Sequence, residues 1–254
     1  MKRTVVITGA SRGIGAALAE ALAAPGVTLG LVGRDEAKLD AVSRNCREAG
    51  ASCHAIAVDV RDRNMLRERL LAFDAEHPVD LAVANAGVAL PTDGDLANEA
   101  ATYGEIDVNL GGTLNTVLPF VPAMRARGGG QLALVSSIAA FAPLPDSPGY
   151  SATKAALLVY GLAMRERLRT AGIRVNVVCP GYIETEMGAR YKGWRPFLMG
   201  SDEAARRIVR GLDRNQAVIA FPRSLAIVAR LSTFVPEGIR RVGLTGFRFS
   251  IDRS

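Results

Sequence analysis

Residues 4–15 read TVVITGASRGIG, and this stretch decides the fold. Thr4, Val5, Val6, Ile7 and Thr8 are β-branched and suit a pleated strand. Glycines then fall at Gly9, Gly13 and Gly15, with Ser11 and Arg12 between them. Glycine allows a tight turn and close backbone approach. Ile14 opens an apolar-periodic segment, residues 14–24, that reads as a helix and stops at Pro25-Gly26. The N-terminus of such a helix offers unpaired N–H groups to an anion such as a pyrophosphate. The spacing is G-x-x-x-G-x-G rather than G-x-G-x-x-G. Its position between a strand and a helix, at the start of the chain, carries the reading.

Outward from this loop, short apolar runs alternate with helical patterns. Strands are expected at residues 28–32, 54–58, 81–84, 131–135, 174–178 and 217–221. Helices are expected at 36–49, 61–76, 100–126, 150–170 and 204–212. Strands without polar alternation, separated by helices, imply a parallel sheet buried on both faces. The expectation is a Rossmann-like, doubly wound α/β fold with about seven mainly parallel strands and helices on both faces. Residues 1–254 read as one domain, with 222–254 as an atypical basic extension. Residues 181–200 read as a loop or lid. Residues 224–235 form an arginine-interrupted apolar stretch that pattern alone does not place.

Composition narrows the class. The chain has 254 residues, 49% of them hydrophobic and 22% charged, which suits a well-packed domain rather than a disordered one. The net charge is +6. Residues 204–254 hold ten arginines against Asp213, Glu237 and Asp252, so the excess belongs to the C-terminal segment. This could mark an anionic membrane surface, an acidic partner, a phosphorylated substrate or simply a solvated face. No motif for nucleic-acid binding accompanies it. Cys46, Cys53 and Cys179 have no zinc spacing, which points to a reducing compartment and to no metal site. The basic opening is followed by too short an apolar run for a signal peptide. With no apolar run long enough to span a bilayer, a cytoplasmic protein is expected.

The second strand ends Val32-Gly33-Arg34, where dinucleotide sites usually place an acid for the ribose 2′-hydroxyl. Arginine there attracts a 2′-phosphate instead, and Arg12 in the glycine loop reaches the same region. The pair favours NADP(H), with NAD(H) possible because Asp35 follows directly. Further along, Tyr150 and Lys154 stand one helical turn apart and share a face. Tyrosine's ordinary pKa is about 10, and an adjacent ammonium is expected to lower it toward use as an acid or base. Ser137, just past the fifth strand, is placed to donate a hydrogen bond to an oxygen that gains charge. A lone Y-x-x-x-K is usually surface decoration; its pairing with the glycine loop raises it.

Taken together these stretches resemble the short-chain dehydrogenase/reductase family over roughly residues 4–221. The matches are TGASRGIG at 8–15, DV at 59–60, NAG at 85–87, Asn109 within DVNLGGT, SSIAA at 136–140, YSATK at 150–154 and PGYIETEM at 180–187. The resemblance implies hydride transfer between a nicotinamide cofactor and a carbonyl or secondary alcohol. It implies Tyr150 as acid/base, Lys154 as its partner and a ribose contact, Ser137 as donor to the substrate oxygen, and Asn109 as holder of a proton-relay water. It places Asp59 and Val60 at the adenine and Asn85, Ala86 and Gly87 along the adenosine. Pro180, Gly181, Ile183 and Thr185 would meet the nicotinamide end. Arg12 and Arg34 match the basic pair of NADP-preferring members. The C-terminal residues depart from the family pattern and leave dimer or tetramer open.

The substrate wall is expected from residues 89–95, 138–148 and 181–200. These contain Phe141, Leu144, Tyr191, Trp194, Phe197 and Met199, with Arg190, Lys192 and Arg195. The mixture admits a lipophilic ketone or a sugar or sugar phosphate, and the family resemblance implies a precursor of envelope or capsule polysaccharide as the sugar. Two rival readings are a dinucleotide-binding sensor or scaffold without turnover, and a peripheral membrane protein anchored through residues 224–241.

Overall fold

The computed structural model describes residues 3–91, 98–189, 195–232 and 234–235, and the backbone alone at 191–192 and 250–251. Seven parallel strands form one sheet. They are β1 (Arg3–Thr8), β2 (Val27–Gly33), β3 (Ser52–Ala57), β4 (Leu81–Ala84), β5 (Gly130–Val135), β6 (Ile173–Pro180) and, beyond three two-residue strands, β10 (Val218–Phe221). Their order is β10-β6-β5-β4-β1-β2-β3. β1 therefore sits inside the sheet, with Val5 opposite Leu29 of β2 on one side and Leu81 of β4 on the other. The chain winds outward through β2 and β3, then returns to the other flank of β1. That reversal opens a crevice at the carboxyl ends of β1 and β4.

Strand alternation sorts the core into two layers. Val5 and Ile7 face α1 (Gly13–Leu22), α2 (Glu36–Glu48) and α9 (Ser201–Asp213). Val6 faces the layer of α3 (Arg63–Glu76), α5 (Gly112–Val117), α6 (Val121–Ala126) and α7 (Pro148–Leu168). Side-chain caps begin three of the helices. Asp35 accepts Lys38 N–H at 3.1 Å, Asp62 accepts Met65 N–H at 3.0 Å, and Asn98 accepts Ala101 N–H at 2.8 Å for α4 (Glu99–Glu105). In α9 the buried Ala204, Ala205, Ile208 and Leu212 follow helical spacing, while Arg206 and Arg207 turn outward to Glu203. Phe120 is fully buried beside Leu66, Leu70 and Val117. Phe120→Ala is expected to cost about 3–5 kcal/mol, read as a lower urea midpoint at unchanged slope.

The long helix expected at 100–126 is not one helix. α4 runs into a π-helical segment, Ile106–Gly111, then α5, a 3₁₀ turn at Leu118–Phe120, and α6. Pro119 and Pro122 lack an N–H and crowd the preceding turn, which breaks the ladder there. The π segment turns Asn109 inward. Residues 181–200 are more structured than a loop. β7 (Ile183–Glu184) pairs in parallel with β9 (Met199–Gly200), and the four-residue α8 (Glu186–Ala189) lies between them. β8 (Tyr191–Lys192) pairs antiparallel with β11 (Ser250–Ile251). The stretch left unplaced contains α10 (Arg223–Ser232). Ala226 and Ala229 face inward, while Ile227, Val228, Leu231 and, just past the helix, Phe234 are exposed. Residues 236–241 of the anchor reading lie outside the described residues. No helix among the described residues is long and apolar enough to cross a membrane.

Candidate active site

The crevice forms a cleft of about 410 Å³ at the carboxyl ends of the central strands. Its phosphate loop is tied down from β4. Thr8 Oγ1 accepts the N–H groups of Asn85 and Ala86 at 3.2 and 3.3 Å. Asn85 Nδ2 donates to the carbonyls of Thr8 and Gly9 at 3.0 and 3.3 Å. Gly9 has φ +65°, and a Cβ there would lie 2.9 Å from the Ala86 Cα, so this approach requires glycine. No side chain caps α1, and its first turn has no acid. An uncapped, positive helix end lined by Gly13 and Ile14 fits the pyrophosphate of a dinucleotide.

The basic residues at the adenosine end are already engaged. Arg34, 64% exposed at its side chain, lies 3.7 Å from Asp59, which also pairs with Arg61 at 2.8 Å. The Arg61 hydrogen bonds hold Asp59 below its ordinary pKa. Arg12 pairs with Glu186 at 2.5 Å, and Lys38 reaches the same carboxylate at 3.6 Å. Asp35 caps α2, accepting Lys38 N–H through Oδ1.

Tyr150, Lys154 and Ser137 line one part of the cleft, and Asn109 lies behind it. The Ser137 hydroxyl is the neighbour that lowers the proton affinity of Tyr150. Lys154 Nζ lies 5.4 Å from the centre of the Tyr150 ring and donates to Val135 O at 3.0 Å. Ser136 Oγ donates to the Lys154 carbonyl at 2.7 Å, holding α7 against β5. Asn109 is fully buried and accepts Val88 N–H at 2.7 Å. It also donates to Val88 O at 2.9 Å and to Thr153 Oγ1 at 3.2 Å. Its side chain is thus spent on the backbone of the loop beyond β4. Gly87 faces both Asn109 Oδ1 and Lys154 Nζ, at 3.2 and 3.4 Å from where a Cβ would sit.

The electrostatics correct one expectation. Tyr150 is not lowered by its lysine: burial pushes it up to about 12, with only the Ser137 hydrogen bond opposing. The nearby charge that acts on it is negative, from Glu105. Burial also drives Lys154 down to about 8, partly opposed by Cys179 and Glu105. Desolvation disfavours both charged forms, and it outweighs a pairing that the four-residue spacing alone suggests.

A family model for short chain dehydrogenases matches residues 3–196. The chain belongs to the short-chain dehydrogenase family. It is 36% identical over 236 residues to an "uncharacterized oxidoreductase" of Myxococcus xanthus, covering 92% of this chain and 93% of that one. It also superposes on a short-chain dehydrogenase from Sphingobium yanoikuyae in complex with NADPH, with a TM-score of 0.80, 29% identity and 97% and 96% of the two chains covered. A short-chain dehydrogenase from Mycobacterium paratuberculosis bound to NAD matches with a TM-score of 0.76, 28% identity and 86% and 94% coverage.

In this short-chain dehydrogenase nearly every residue expected at the cofactor lines the cleft. The set comprises Gly9, Ser11, Arg12, Gly13, Ile14, Arg34, Asp59, Val60, Asn85, Ala86, Gly87, Pro180, Gly181, Ile183 and Thr185. Gly15 lies behind the loop against the Gly9 carbonyl, and Asn109 lies behind Gly87. The expected substrate wall needs more correction. Leu144 lines the cleft, but Phe141 is buried under Arg230, whose guanidinium stacks 4.3 Å from its ring centre. Phe197 is exposed outside the cleft, and Met199 packs on the core. Arg195 donates to Gly188 O at 2.9 Å. Arg190, Trp194 and residues 92–95 lie outside the described residues, and Tyr191 and Lys192 enter only as the backbone of β8. All three expected segments nonetheless reach the cleft, through Leu90, Ile138, Ala142, Tyr182 and Met187, and Leu225, Val228, Ala229 and Ser232 of α10 join them. The spacing of Leu225, Ala226 and Ala229 was the available signal for that helix. Glu105 and Glu186 were also missed.

Proposed function

We propose that this chain interconverts a carbonyl and a secondary alcohol with a nicotinamide cofactor, NADP(H) in preference to NAD(H). The observation that carries the reading is the meeting of Tyr150, Ser137 and Lys154 in the same cleft as the uncapped end of α1. When bound, the nicotinamide supplies or accepts the hydride. Tyr150 holds its proton to about pH 12 and gives it to the carbonyl oxygen in reduction. Ser137 Oγ accepts Ala139 N–H at 3.1 Å, which leaves its own proton to steady the same oxygen. Lys154 keeps N–H groups beyond the one on Val135 for a ribose and for charge. Arg12 and Arg34 serve a 2′-phosphate. The cleft wall of Leu90, Ile138, Ala142, Leu144, Leu225 and Val228 favours a lipophilic ketone over a sugar. Exposed Tyr103, Ile106, Val159 and Leu162, on α4, the π segment and α7, support a homodimer through these helices.

The test is consumption of reduced nicotinamide, followed by absorbance, against a panel of aliphatic, aromatic and sugar carbonyls with NADPH and NADH. Turnover is expected with NADPH and bulky ketones. The pH profile adds a sharper check, because kcat/KM reports groups of the free enzyme. Lys154 loses its proton near 8, so reduction should fall above about pH 8 while Tyr150 is still protonated. A profile flat through about pH 10 would contradict the lysine's role.

A further inference from the structure

We propose that Glu105 is a positioning residue of this active site, a carboxylate that holds the first turn of the Tyr150 helix and the loop beyond β4 in one arrangement. The proposal rests on the carbonyl-reduction reading. Glu105 ends α4 and is only 3% exposed. A carboxylate so buried needs partners, because desolvating it alone is costly. Its Oε1 accepts Leu90 N–H at 2.9 Å, and its Oε2 stands against the first turn of α7, where the Tyr150 backbone N–H acts on the carboxylate. Gly149 makes the second contact possible. A Cβ there would lie 2.5 Å from Glu105 Oε2, so a larger residue would push the carboxylate away.

The helix needs this contact. α7 starts at Pro148, and its N-cap residue Ser147 makes no capping bond. The Ser147 hydroxyl is buried without a partner. Glu105, from another helix, places its carboxylate at the first turn of α7, where a cap would normally stand. A negative group is also favourable at the positive end of a 21-residue helix. The loop is held twice from one segment, at Val88 by Asn109 and at Leu90 by Glu105. Leu90 and Tyr150 both line the cleft, so the bridge spans from substrate wall to phenol. The π segment that follows Glu105 directly is a form often found at functional sites.

Glu105 also sets charge here. The groups acting on Tyr150 are Ser137, Glu105 of α4, Cys179 of β6 and Tyr182. Those acting on Lys154 are Cys179 and Glu105. Glu105 favours the protonated form of both, so neutralising it should move both titrations to lower pH.

Two variants test this. Glu105→Gln keeps the shape and an acceptor oxygen; Glu105→Leu removes the acceptor from both Leu90 and the start of α7. Amide hydrogen exchange in the cofactor-free chain is the first measurement. In Glu105→Leu the amides of Leu90 and Tyr150 should exchange faster, with the middle of α7 unchanged, and Glu105→Gln should retain most protection. Kinetics are the second. Glu105→Leu should lower kcat roughly ten- to a hundredfold, while Glu105→Gln should recover most of kcat with its alkaline limb shifted to lower pH. Unchanged protection or unchanged kcat in Glu105→Leu would overturn the proposal, as would an unshifted limb in Glu105→Gln. If Glu105→Leu does not fold, the limb of Glu105→Gln decides alone. A wild-type chain that reduces no carbonyl would refute the functional reading, and amide exchange would still decide the role of Glu105.

Discussion

Tyr150→Phe is expected to lower kcat for ketone reduction by roughly 10²–10⁴-fold, the usual contribution of a positioned general acid. The substitution keeps the ring that lies 5.4 Å from Lys154 Nζ and removes only the hydroxyl next to Ser137. No cavity opens, so stability should change little. The lost interaction is one made as the carbonyl oxygen gains charge, so kcat and kcat/KM should fall together. NADPH binding, followed by nicotinamide fluorescence, should stay near the wild-type value. A Phe variant that turned over like wild type would place the proton donor elsewhere. The high pKa of Tyr150 keeps it protonated at neutral pH, the form that reduction needs, so alcohol oxidation should need a higher pH than reduction.

Arg34→Asp should invert cofactor preference. A charge-assisted bond to a 2′-phosphate is worth about 1.5–3 kcal/mol, and replacing it with a like charge adds repulsion. A total of roughly 2–4 kcal/mol corresponds to about 30- to 1000-fold weaker NADPH binding. NADH, with a 2′-hydroxyl in that place, should bind about as before. Titration calorimetry with both nucleotides gives the ratio directly, and equal losses for the two would remove Arg34 from the phosphate. The effect is not simply that of an idle cation, because Arg34 lies 3.7 Å from Asp59. Arg12 is likewise held by Glu186. On the proposed 2′-phosphate contact both arginines would exchange a carboxylate for a phosphate, and NADPH affinity should then depend on these acids as well.

Much of this was legible in the sequence, for identifiable reasons. Strands buried on both faces read as unbroken apolar runs, so β1, β2 and β4 to β6 stand out. The cleft residues are legible because a turn, a helix end and a shared helical face each demand particular residues at particular spacings. What spacing does not carry is depth. Tyr150 and Lys154 are neighbours as their separation says, yet burial, not proximity, sets their proton affinities. Glu105 stands in no pattern; it matters because α4 packs against the start of α7. The fault in the long helix is marked by Pro119 and Pro122, but the π segment at Asn109 has no such mark. α10 was hidden because its arginines interrupt the apolar period: Arg230 lies over Phe141 rather than in solvent alone.

The placement of β1 has a consequence for biosynthesis. Its flank toward β2 is satisfied by residues 27–33, but its other flank waits for Leu81–Val83, some fifty residues later. A nascent chain of about seventy residues therefore carries an apolar strand with one open edge, ready to pair with a neighbour's. Ribosome-bound intermediates of that length are where holdase chaperones have most to protect, and where a stalled ribosome would most readily seed aggregation.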